Sequence, residues 1–137
     1  MSNRGPDAGK AVGKNLMKNP MFILVAGPYR SGTNDDPALI AQNMHRMTEA
    51  SLSLFRRGHM PVTGEALALP MIEMAGSTKI GDGPFNEIFH PIARRLFHKL
   101  DAVLRIGGPS AGADEMAALA SERGLPVYFD LSEVPEP

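Results

Sequence analysis

The feature that most limits the fold is the stretch "MFILVAG", Met21 to Gly27, an apolar run without alternation that stops at Gly27-Pro28. A strand with one wet face alternates apolar and polar residues. An unbroken apolar run suits a strand covered on both faces, as in a parallel sheet between helical layers. The stretch "DAVLRIGG", Asp101 to Gly108, repeats the design and also ends in glycine.

The segments between and after these runs carry helix signals. Asp36-Pro37 has the form of an N-cap followed by proline in the first turn. Leu39, Ile40, Met44, Met47, Leu52 and Phe55 follow at helical spacing, and Arg56-Arg57-Gly58 supplies a cationic last turn and a stop. "HMPVT", His59 to Thr63, reads as a short second strand, placed at an edge by its proline. A short helix over Gly64 to Met74 is expected to bend or end at Pro70. The three-glycine stretch "GSTKIGDGP" reads as a flexible loop and candidate lid, and "FNEIFHPIARRLFHKL" as a helix kinked at Pro91. "AGADEMAALASERG" is a further helix and "LPVYFDL" a fourth strand. Alternating strands and helices predict an α/β sandwich of three layers, with a parallel sheet of four to five strands and helices on both faces.

Composition narrows the function classes. The chain has 137 residues, 43% hydrophobic and 21% charged, enough for a single core. We expect one domain over residues 21–137 behind a flexible tail over residues 1–20. That tail is mildly basic but lacks the apolar stretch of a secretory leader. A net charge of −1 argues against a nucleic-acid polymer or a membrane surface as partner by bulk charge. The absence of cysteine excludes disulfides and thiolate chemistry and fits a cytoplasmic setting. The four histidines show no metal-binding spacing, so no metal is expected.

In open parallel sheets ligands bind beyond the carboxyl ends of the strands, where strand order reverses. Three loops lie there. The first carries Gly27, Tyr29, Arg30, Ser31, Gly32 and Thr33, which combine permissive backbone, a phenol, a guanidinium and hydroxyls. The second carries Glu65. The third, "GGPSAGADE", offers Gly108, Ser110, Gly112, Asp114 and Glu115 at a helix start. Acidic residues in a first turn are favoured by the helix dipole alone; the functional alternative is a carboxylate held over the cleft as nucleophile or base. Asp82 and Asn86, beside the glycine-rich loop, are further candidates to reach a ligand.

"FILVAGPYRSGT" and "DAVLRIGGPSAGADEMAALASERGLPVY" together resemble the nucleoside 2-deoxyribosyltransferase-like superfamily, which includes deoxynucleoside 5′-monophosphate N-glycosidases. The resemblance spans Phe22 to Leu131. It implies a flavodoxin-like fold, a homodimer or larger oligomer, and cleavage or transfer at an N-glycosidic bond through a glutamate without metal or organic cofactor. The ligand implied is a small nucleoside or nucleotide. By position, Tyr29 lies beside the sugar and the catalytic glutamate, Arg30, Ser31 and Gly32 line the 5′-end, and Ser110 and Gly112 complete that pocket.

Two departures are visible. The family glutamate falls six residues after the serine matching Ser110, where this chain has Met116; Glu115, one residue earlier, is the carboxylate nearest that position. The family's aspartate on the helix before strand three has no counterpart between Glu87 and Asp101. Two readings follow: an enzyme with Glu115 and Tyr29 at its centre, or a nucleotide-binding module that has lost the catalytic carboxylates.

Overall fold

The computed structural model describes residues 19–137, so most of the tail expected over residues 1–20 lies outside the described residues. Four strands, β1 (Phe22–Ala26), β2 (Met60–Val62), β3 (Ala102–Arg105) and β4 (Val127–Tyr128), form one sheet in the order β2-β1-β3-β4. Every pairing is parallel, with Leu24 opposite Val62 on one side and Val103 on the other. Four helices alternate with them: α1 (Pro37–Arg56), α2 (Gly64–Met74), α3 (Gly83–Leu96) and α4 (Ala111–Glu122). The fold is the flavodoxin-like α/β sandwich expected from the sequence.

The apolar runs split between two cores as the pleat requires. Ile23, Val25, Ala102 and Leu104 face Met47 and Leu54 of α1, with Val134 of the C-terminal segment closing that side. Leu24, Ala26 and Val103 face Phe97 just beyond α3 and Ala113, Met116 and Ala120 of α4. A third cluster joins α2 to α3 through Ala68, Ile72 and Phe85.

The helix boundaries follow local chemistry. The Asp36 side chain accepts from the Ala38 amide at 2.9 Å, with Pro37 in the first turn. β2 is an edge strand, consistent with Pro61 within it. Helix α2 runs through Pro70 to Met74, with the Thr63 hydroxyl oxygen capping its start by accepting from the Ala66 amide.

The glycine-rich stretch differs from a bare flexible loop. The Asp82 carboxylate accepts from the Ser77 hydroxyl and from the amides of Thr78, Lys79 and Phe85. These bonds hold its acid form well away: the pKa falls to about 2, led by the Thr78 amide. The same residue caps α3, which begins two residues before the helical pattern that starts at Phe85.

The core and surface of α1 are separable by experiment. Leu54 is fully buried, whereas Leu52 is 47% exposed. Leu54→Ala should cost about 2–5 kcal/mol in urea unfolding, and Leu52→Ala less than about 0.5 kcal/mol.

Candidate functional site

Strand order reverses between β1 and β3, and there the loops leaving the two strands diverge. Their bases meet closely. A Cβ on Gly27 would lie 3.0 Å from the Ile106 carbonyl oxygen, and one on Gly107 would lie 2.6 Å from Cδ of Pro28. Gly107 also adopts a φ of +82°, which favours glycine independently. Above this junction opens a cleft of about 510 Å³, walled by the loops after β1, β2 and β3 and by one face of α3.

Gly27, Tyr29, Arg30, Ser31 and Gly32 line the cleft from the first loop, Glu65 from the start of α2, and Ser110 and Gly112 from the start of α4. Ser110 is buried and its hydroxyl oxygen accepts from the Ala113 amide at 3.2 Å, which leaves the hydroxyl hydrogen free to be donated. Thr33 belongs to the supporting turn: its hydroxyl donates to the Arg30 carbonyl at 2.6 Å and accepts from the Asp35 amide at 3.1 Å. Gly108 likewise stands outside the lining, its carbonyl accepting from Arg105 Nη2 at 2.9 Å.

The two carboxylates at the start of α4 face away from the cleft, which corrects the placement expected for Glu115 and Asp114. The Asp114 Oδ1 atom accepts from Arg105 Nε at 3.0 Å, so it braces the β3 loop. Glu115 pairs with Arg94 of α3 at 3.0 Å, with both side chains about half exposed. The cause is helix phase. Successive residues turn by about 100°, and the inward face is taken by Ala113, Met116, Ala117 and Ala120. Met116, at the position where the resembled family has glutamate, does line the cleft, but with a thioether.

Two carboxyl groups line the cleft, those of Asp35 and Glu65, and Glu65 is the one that burial perturbs. It occupies the first turn of α2, behind the Thr63 cap, where its own backbone amide and the helix dipole favour ionisation. Burial outweighs both and pushes its pKa up to about 6. Beside it, burial first and the Glu65 charge second raise the Tyr29 phenol above its ordinary value, so Tyr29 is a hydrogen-bond donor at any working pH.

The aromatic wall carries no signature in its spacing beyond the i, i+4 pair Phe85 and Phe89. Their rings stack with centroids 4.7 Å apart, and Tyr29 meets Phe89 at 5.7 Å. Asn86 and His90 stand on the same stretch of α3 and also line the cleft, as does Asp35 from the first loop; Asp82 does not. Among the described residues no group of three or more metal-binding side chains occurs, and no helix is long and apolar enough to cross a membrane. Comparison with protein-family models, curated proteins and solved structures returns no match.

A neutral Glu65 is what the fold prefers. Its folded pKa of about 6 exceeds the ordinary 4.5, so its favourable contribution is complete below about pH 4.5 and is lost as pH rises through 6. Glu65→Gln should therefore stabilise the protein at pH 8 by on the order of 2 kcal/mol and have little effect at pH 4, read from paired thermal melts.

Proposed function

We propose that the cleft binds a nucleoside-sized ligand and cleaves, or transfers, its N-glycosidic bond, with Glu65 in the role first expected of Glu115. The observation that carries this reading is a desolvated carboxyl in a cleft with the aromatic residues Tyr29, Phe85 and Phe89 in its lining together with hydroxyls and a guanidinium. A base needs an apolar face to stack on, and a sugar needs polar partners. The cleft's volume of about 510 Å³ is of nucleoside scale.

In this mechanism the Glu65 carboxylate attacks C1′ as the C1′–N bond breaks, and the bond's electron pair leaves with the base, which takes a proton from water. The glycosyl ester then releases its sugar to water, or to a second base in transfer, and the carboxylate is restored. Desolvation makes the carboxylate a better nucleophile, and the Tyr29 phenol near it is an available hydrogen-bond donor. No metal or organic cofactor takes part. The homodimer or larger oligomer and the cytoplasmic setting belong to the same proposal.

Incubation with a panel of nucleosides, deoxynucleosides and their 5′-monophosphates, followed by chromatography for free base, tests it. Base release should fall as pH drops through about 6, where Glu65 takes up its proton. Glu65→Gln should reduce release by about 10³-fold or more, while Glu115→Gln stays within about threefold of the parent. Loss with Glu115→Gln alone would return the chemistry to α4. Absence of release from every substrate would overturn the enzymatic reading; ligand-dependent stabilisation without release would identify a binding module.

A further inference from the structure

Among the described residues Arg30 is the one arginine or lysine side chain in the cleft lining, and it already has a partner. Its Nε meets Asp35 Oδ1 at 3.2 Å and its Nη2 meets Asp35 Oδ2 at 3.4 Å, the two-point geometry with which a guanidinium otherwise grips a phosphate. The rest of the guanidinium is hemmed in as well. Its carbon sits 5.8 Å from the Phe85 ring centroid, and a Cβ on Gly81 would lie 3.4 Å from Nη1.

The pairing is built into the backbone. Asn34 and Asp35 both adopt left-handed conformations, with φ of 52° and 59°, which non-glycine residues seldom do. Thr33 holds this turn by accepting from the Asp35 amide while donating to the Arg30 carbonyl. The pair is 40% and 58% exposed, so it adds little to stability.

We propose that Asp35 determines specificity in the cleft: it occupies the anion-gripping edge of Arg30, turns away ligands phosphorylated at that end, and selects ligands that end there in an uncharged hydroxyl. This rests on the nucleoside reading above for the identity of the ligand. A phosphate placed on Arg30 would stand against the Asp35 carboxylate, with Glu65 the other carboxyl in the lining. A hydroxyl suffers no such repulsion, because it can donate to Asp35 and accept from Arg30.

Calorimetric titration of the full chain and of Asp35→Asn tests this, with three probes: inorganic phosphate, a nucleoside, and the 5′-monophosphate of the same nucleoside. Asparagine tolerates the left-handed turn and keeps a hydrogen-bond acceptor for Arg30, so the variant should fold. The parent should prefer the nucleoside. Asp35→Asn should raise the affinity for phosphate, and the ratio of monophosphate to nucleoside affinity, each by about tenfold or more. Adding Arg30→Ala should remove that gain. A parent that prefers the monophosphate, or an Asp35→Asn protein with no gain for phosphate, would overturn the proposal. If neither protein binds either nucleoside probe while Asp35→Asn still gains phosphate, the nucleoside reading fails and the anion-excluding role of Asp35 stands.

Discussion

The cleft depends on a contact that leaves no room for a side chain. Where β1 and β3 end, Gly27 lies against the Ile106 carbonyl and Gly107 against the Pro28 ring. The two loops must diverge from that pinch, and the space between them is the cleft. Arg105 keeps the second loop in place: it is buried, donates to the carbonyls of Ile106 and Gly108, and takes Asp114 as its counter-ion. A positive charge below the floor of the site thus supports the backbone and presents no free edge to a ligand.

The charges within the cleft are balanced in a similarly local manner. Glu65 is drawn toward ionisation by the helix it opens and toward neutrality by burial, and burial prevails. Tyr29 feels both Glu65 and Arg30, in opposite senses. Arg30 in turn is tied to Asp35. Tyr29 is influenced across the cleft by Glu65 and within its own loop by Arg30, so the chemistry of the site draws on more than one loop.

That division explains what could be read from the sequence. The sheet was legible because burial on both faces leaves an unbroken apolar run, and Phe22–Ala26 and Ala102–Arg105 each contain one. The loops after β1 and β3 were legible as cleft walls because glycines cluster where strands end. Glu115 was misplaced because adjacent carboxylates on a helix differ only by phase, and the inward phase at Met116 shows itself once Ala113, Ala117 and Ala120 are seen against the sheet. Glu65 carried no sign of its special state, since that state lies in desolvation, which is a property of the folded cleft and not of the neighbouring sequence. Asp35 gave no signal at all. Asn34 and Asp35 are residue types that accept a left-handed turn, but nothing in "TNDD" says that the turn brings Asp35 back to Arg30.

The segment over residues 77–82, which stands beside the cleft with Gly81 close to Arg30, has a consequence for binding. Glycine-rich segments beside clefts are usually ordered by the ligand, and the cost of that ordering is subtracted from its affinity. Here one carboxylate, Asp82, gathers a hydroxyl and three amides. Asn86 closes the far end of the segment by donating to the Gly81 carbonyl. A ligand entering the cleft passes a segment already held by these bonds, so little further ordering of it opposes binding. Differences among competing ligands are then expressed in how long each one stays.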